Sequence, residues 1–397
     1  MHTGYVYDDG LGLLGPLTDL RAAFDVRTGA LTTLDRLTLA GPFQPLGLFV
    51  PDGLADLTRE RHRVPVNVPP PRGGDFLAIN GRWVLPRVAL LDRLTAAGMI
   101  LVDEASGHIL AGRCRLDDLG ALLAGDTSSF RLLKISATES GGMLVRPWDV
   151  RRHRDAALAV DLAVLTRETG PIAIAGTARV HPSAVLDADA GPILVAAHAV
   201  VRPGAILIGP CAIGEHATVL DRAVIRSNTA IGPWCKAAGE VSGVVMQAYS
   251  NKAHDGFLGD SWLGEWVNLG AGTTNSNLLN TYGEVIARAA PAASLERTGL
   301  TFLGAIIGDH VKTAICTRIM TGTVIHTGSM IAASAAVTGC VEPFAWRTDD
   351  SRHRYRLGKF EEVVRAMMAR RHVTPSPAYL ARIASLHAAS ESPPAAQ

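Results

Sequence analysis

The chain has 397 residues, of which 48% are hydrophobic and 19% charged, and 38 Lys and Arg against 37 Asp and Glu leave a formal net charge of +1. That is ample apolar material for buried cores, too apolar for a disordered chain, and long enough for two or three structural units. So even a balance excludes the general positive field that draws nucleic acid or an anionic membrane. Five scattered cysteines without a C-x-x-C pair suggest reduced core residues rather than a disulfide framework or a zinc site. The start has no basic segment leading into an apolar one, and no run reaches the ~18 apolar residues of a membrane span. A cytoplasmic protein is expected, with no membrane and no nucleic-acid partner.

Residues 1–145 carry apolar runs, among them Leu46-Gly47-Leu48-Phe49-Val50, Phe76-Leu77-Ala78-Ile79 and Met99-Ile100-Leu101-Val102, between Gly- and Pro-rich turns. That alternation reads as an α/β domain. Pro147-Trp148-Asp149-Val150 then opens a linker helix within 146–170, with a basic face of Arg151, Arg152, His153 and Arg154.

Residues 171–340 hold the strongest signal. Aliphatic residues recur at every sixth position as Val195, Val201, Leu207, Ile213, Val219, Ile225 and Ile231, and the period returns near Ile307, Ile319, Ile325, Ile331 and Val337. A period of six fits neither a helix nor simple strand alternation. It fits a triangular coil with one short strand per face and one inward aliphatic residue per strand, stacked into a left-handed parallel β-helix of hexapeptide repeats. Gly209, Gly214, Asp221, Asn228 and Gly232 fall at the expected corners, where positive φ would suit them. The period breaks at about 243–256 and again at about 279–304, and both breaks are read as loops leaving the coil. Residues 341–397 give two helices, the first with Phe360, Val363, Val364, Met367 and Met368 on one stripe, and a disordered tail over 391–397.

The run from Asn251 to Asp260, Asn-Lys-Ala-His-Asp-Gly-Phe-Leu-Gly-Asp, followed by Gly264 to Asn277, resembles the acetyltransferase domain of GlmU. The likeness is nearest to a GlmU-like group of sugar nucleotidyltransferases, which also shows Tyr249-Ser250-Asn251-Lys252 and Gly308-Asp309-His310. In the N-terminal domain that group is similar at Arg21-Ala22-Ala23-Phe24-Asp25-Val26-Arg27-Thr28-Gly29 and at Asn80-Gly81-Arg82. The resemblance implies a nucleotidyltransferase-like α/β domain ahead of an acyltransferase β-helix.

It also implies roles. His254 matches the base that takes a proton from an attacking amine, Glu240 the carboxylate that orients the imidazole, and Asn277 an amide donor to developing negative charge, the three meeting in one cleft. Arg226 and Asn268 match sugar-phosphate contacts, although a solvated corner arginine is an equal reading of Arg226. Ala271 and Ala333 match positions where small side chains admit the arm of coenzyme A. Ser242, Phe257 and Leu278 stand where the family has a lysine and two tyrosines, and Lys252 and Tyr249 of the first break, or Tyr282 of the second, are the candidates to replace them. In the first domain Arg21, Arg27, Asn80 and Arg82 are candidate nucleotide contacts with Mg²⁺ assisting; the other reading pairs Arg21 and Arg27 with Asp19 and Asp25. No metal ligands are assignable from the sequence.

By this resemblance the chain is a homotrimeric, bifunctional transferase. It would use acetyl-CoA to N-acetylate an amino-sugar 1-phosphate, glucosamine 1-phosphate first, and UTP to form a UDP-sugar. The alternative is a regulatory protein whose degenerate first domain binds a sugar nucleotide above a β-helical stalk.

Overall fold

The computed structural model describes residues 2–390; the expected tail at 391–397 lies outside them. The N-terminal domain is built on six strands: β1 (His2–Tyr7), β2 (Phe43–Phe49), β3 (Phe76–Asn80), β4 (Met99–Asp103), β5 (Ile109–Cys114) and β6 (Arg131–Ile135). They lie in the order β2-β1-β3-β5-β4-β6, all parallel except β5. The three apolar runs are β2, β3 and β4, and β3 and β4 are buried along their whole length, as strands covered on both faces must be. Helix Asp149–Leu165 then leads into the solenoid.

The solenoid is a left-handed parallel β-helix with three faces. Its first face is a nine-stranded parallel sheet running from Ile172–Ile174 to Cys340–Val341. Val195, Val201, Leu207, Ile213, Val219, Ile225 and Ile231 point inward and are at most 1% exposed, so the six-residue period is the aliphatic ladder of the core. Stacking sets one coil above the next at ~4.8 Å. Corner geometry meets expectation at Asn228, with φ of 60°, and departs from it at the other four positions. Gly214 and Gly232 do not have positive φ; a Cβ on Gly232 would stand 2.1 Å from the Gln247 carbonyl oxygen of the next coil, so their small size serves coil approach. The left-handed corners between the first and second faces are held instead by His198, His216, Trp234, Tyr249, Trp266 and His310, with φ of 55–61°. Their rings stack coil upon coil, from His216 and Trp234 at 4.1 Å and 16° to Tyr249 and Trp266 at 4.3 Å and 6°. Stacking of this kind offsets the cost of left-handed backbone in L residues.

The two breaks in the period have different structures. Residues 243–256 do not leave the coil: Val245–Met246, Asn251–Lys252 and Phe257–Gly259 continue all three faces in register. The coil is shortened at left-handed Gly239 and Gly243, which corrects the first expected loop. Residues 279–304 do leave it, forming an antiparallel pair, Ile286–Ala287 with Glu296–Arg297, and Glu296 pairs with Arg146 beside the linker helix at 2.8 Å.

The outward residues of the first face, Ala212, Ala230, Val245, Trp262, Ile306 and Val324, are buried under Leu14, Leu17 and the linker helix. C-terminal helices Leu357–Ala369 and Pro377–Ala389 pack on the N-terminal domain and the edge of the solenoid, with Phe360, Val364, Met368 and Ile383 buried. Among the described residues no helix is long and apolar enough to cross a membrane.

Candidate functional site

His254 sits in the turn between Asn251–Lys252 on the second face and Phe257–Gly259 on the third. Lys252 continues the inward column Val201, Val219, Ala237, with Ala237 below it leaving room for the longer chain. Its ammonium donates to the carbonyl oxygens of Ala238 at 3.1 Å, of Asp255 at 3.0 Å and of His254. Three acceptors satisfy the three donors of a cation placed in the core, and they tie the His254 turn from beneath. Lys252 is therefore a strut and not a substrate contact, which corrects its expected role. Burial pulls its ammonium down to about 8. The His254 side chain faces solvent, and among the described residues its ring has no hydrogen-bond partner.

Glu240 is one coil earlier, its backbone N–H donating to Gly256 O at 3.3 Å, so the carboxylate and the His254 turn share an edge. Its Oε1 accepts from Arg226 Nε at 2.5 Å and not from His254. Both members of this pair are about half exposed, where an ion pair contributes little. Asn277 is at the opposite edge of the third face. Its Nδ2 donates to Asp260 Oδ2 at 2.7 Å, and Oδ1 of Asp260 accepts from Arg154 of the linker helix at 2.8 Å and is ion-paired with Arg151 at 2.7 Å. Within one chain, then, the base and its expected carboxylate are neighbours, while the amide is a face away and already bonded.

Ala271 and Ala333 lie on the same edge as His254. Asn251, Asn268, Lys312 and Met330 are partnered in successive coils, and His254, Ala271 and Ala333 follow the first, second and fourth of them at the same corner. At ~4.8 Å per coil this puts Ala333 roughly 14 Å along the edge from His254.

Tyr249 and Asn268 line a different space, a groove of about 540 Å³ between the second face and the helix Leu357–Ala369. It also holds Lys236, Lys312 and Arg371, which the sequence did not single out. Spacings of 15, 17 and 44 residues between Lys236, Asn251, Asn268 and Lys312 hid their common column. The aromatic ladder did leave a signal: His198, His216 and Trp234 are three hexads apart.

In the N-terminal domain the candidate nucleotide contacts face inward. Arg82 donates to both carboxylate oxygens of Asp9 at 2.7 and 2.6 Å and to Leu144 O at 3.0 Å. Asn80 bonds Asp9 and Ile109 O, and Arg27 donates to Ala30 O. Arg21, fully buried, pairs with Asp309 of the solenoid at 2.6 Å rather than with Asp19 or Asp25. Burial holds the Asp309 carboxyl up at about 6, against the pull of that guanidinium. Asp8 and Asp9 follow β1 and Asp103 ends β4, with β3 and β5 between those strands in the sheet; Asp9 is taken by Arg82, Asp8 caps Gly10 and Ala23, and no group of three metal-ligating side chains exists among the described residues. These residues do not fit a Mg²⁺ ion.

Comparison with known proteins adds a family. Residues 6–169 match the family described as sugar nucleotidyl transferase. The bifunctional protein GlmU of Methanococcus maripaludis is 30% identical over 134 residues, which are 32% of this chain and 31% of that protein. GlmU of Buchnera aphidicola is 29% identical over 131 residues, 33% and 23% respectively. The chain thus spans less than a third of the length of these relatives. Among solved structures, the UDP-N-acetylglucosamine acyltransferase from Campylobacter jejuni aligns over 54% of this chain and 92% of its own, at 17% identity and a TM-score of 0.25.

Proposed function

We propose, from a GlmU-like chain whose residues 6–169 belong to the sugar nucleotidyl transferase family, that the solenoid transfers an acetyl group from acetyl-CoA to the amine of an amino-sugar 1-phosphate. The observation that carries this reading is the edge on which an unpartnered, solvent-facing imidazole precedes two small residues in line, Ala271 and Ala333. A thioester arm lying along that edge delivers its carbonyl to His254. The amine nitrogen attacks the carbonyl carbon, the imidazole takes the amine proton, and the C–S bond breaks to release the thiolate of coenzyme A. Neutral imidazole suits that task near pH 7.

The Arg226–Glu240 pair is the resting arrangement in this scheme. A substrate phosphate accepted by the Arg226 guanidinium frees Glu240 to orient the imidazole. The third face carries Val185, 53% exposed, and, two to three coils further on, the half-exposed Arg226 and Glu240, and we infer a homotrimer packed on these faces. Asn277 of the partner subunit would then approach His254 as the donor to the oxyanion.

The test supplies acetyl-CoA with glucosamine 1-phosphate, glucosamine and other amino-sugar phosphates, and follows free thiol. Release that requires both amine and phosphate is expected; none with any acceptor sinks the reading. For the first domain, the inward pairing of Arg21, Asn80 and Arg82 speaks against nucleotidyl transfer through these residues and favours the degenerate domain of the second reading. UTP-dependent release of pyrophosphate would restore nucleotidyl transfer to it.

A further inference from the structure

The groove over the second face adjoins the His254 edge at Ala253 but does not include the His254 side chain. Its floor is the outward column Lys236, Asn251, Asn268, Lys312, four residues partnered from coil to coil. Two ammonium groups thus flank two carboxamides over roughly 14 Å, at ~4.8 Å per coil. Its wall is one stripe of the helix Leu357–Ala369, on which Val363, Ala366 and Met367 lead into Arg370 and Arg371 just beyond the helix end. That spacing puts them on the helical face turned to the solenoid. Tyr249 and Trp266 of the stacked ladder close one side.

Charge in this groove is one-sided. Lys236, Lys312, Arg370 and Arg371 line it and no carboxylate does. The nearby Glu265 is already engaged by Arg21 at 3.5 Å and Arg61 at 3.1 Å. Arg371 donates to Asn251 Oδ1 at 2.8 Å, which fixes its guanidinium across the groove. Lys312 is held by the carbonyl oxygens of Trp266 at 2.8 Å and His310 at 3.1 Å. Among the described residues the side chains of Lys236 and Arg370 have no hydrogen-bond or ion-pair partner. Like charges gathered in a concavity without counter-charge repel one another and raise the local potential, a cost that an anion removes. An ordinary solenoid face would lie open to water; this one is roofed by a helix that contributes two of the four cations.

We propose that this groove binds a small molecule bearing a diphosphate, with Lys236, Lys312, Arg370 and Arg371 neutralising the phosphates and Asn251 and Asn268 donating to them. The length of the floor suits a diphosphate with a group at each end better than a single phosphate. Nucleoside diphosphates and the adenosine diphosphate portion of a coenzyme share this chemistry. The inference rests on the groove alone and stands whether or not His254 carries acyl transfer.

Isothermal titration of the full-length protein with pyrophosphate, UDP and adenosine 3′-phosphate 5′-diphosphate tests it, alongside Arg370→Glu, Lys236→Ala and His254→Ala, with 3′,5′-ADP as the compound whose phosphates are not adjacent. Saturable, salt-sensitive binding of at least one diphosphate is expected; UDP over adenosine 3′-phosphate 5′-diphosphate identifies a nucleotide, the reverse a coenzyme fragment, and tightest binding of 3′,5′-ADP overturns the diphosphate. Arg370→Glu should weaken binding about tenfold or more, the scale of a lost charged hydrogen bond, and Lys236→Ala less. Both positions are outside the cores, so the variants keep the wild-type circular dichroism and Tm. His254→Ala leaves this affinity unchanged even if it abolishes turnover, which separates failure here from failure of the transferase reading. No saturable binding at millimolar probe, or binding indifferent to Arg370→Glu, overturns the proposal.

Discussion

In the N-terminal domain the guanidinium of Arg82 commits its N–H groups to Asp9 and Leu144, and Arg21 is buried against Asp309, whereas in the solenoid the His254 ring faces water with no partner. All three are polar residues in recognisable motifs. What divides them is whether the fold has already satisfied their hydrogen-bonding capacity. A buried guanidinium with a bidentate carboxylate is part of the scaffold, because breaking it exposes an uncompensated charge to a low dielectric. An exposed imidazole on a turn tied down by Lys252 is positioned and still unused. The difference also separates the two cationic sets: Arg21 and Arg82 are matched by Asp309 and Asp9, while among the described residues no carboxylate pairs with Lys236 or Arg370.

That contrast can be broken at several points. Arg82→Ala should destabilise the protein by about 3–5 kcal/mol in urea unfolding, since Asp9 is left buried and unpaired; a change below about 1 kcal/mol would mean Arg82 is available to a ligand after all. His254→Ala should lower thiol release by ~10² at unchanged Tm, the usual scale for a lost general base. A fall in Tm of several degrees with turnover intact would make His254 part of the scaffold too.

Lys252 supplies a pH signature. Burial lowers its folded-state value to about 8, below the unfolded value of ~10.4, so the unfolded chain binds more protons between those limits. Stability from this group is therefore lowest below about pH 8 and rises as pH increases toward ~10. The Lys252 share of the gain from pH 7.5 to 9.5 is about 2 kcal/mol, and Lys252→Met removes that share while leaving the one from Lys312, which burial also pulls down to about 7. A slope unchanged in the variant would mean that the Lys252 ammonium is not depressed by its burial. The smallest stability effect is expected at Glu240→Gln. Its exposed pair with Arg226 should change stability by less than about 1 kcal/mol, while turnover falls if the carboxylate orients His254.

Much of the architecture was legible because the hexad repeat is a local rule: each inward aliphatic residue from Val195 to Ile231 is specified by its own six-residue unit. The N-terminal strands were legible for the same reason, as apolar runs bounded by turns. The break at residues 243–256 misled, since residues lost from the corners near Gly239 and Gly243, which shorten the coil from 18 residues to 16 and then 15, look in sequence like a loop inserted there. The motif around His254 was also visible, and so was its neighbour Glu240.

What the sequence by itself determined is thus the solenoid's period, the strands ahead of it, and which residue types stand along the His254 edge. Tertiary structure alone decided that Lys252 points inward, that Arg21 reaches Asp309 288 residues away, and that Lys236, Lys312 and Arg370 meet in one groove. The reason is physical. A repeat is written in short-range spacing, but the satisfaction of a polar group depends on which distant acceptor the fold brings within ~3 Å of it.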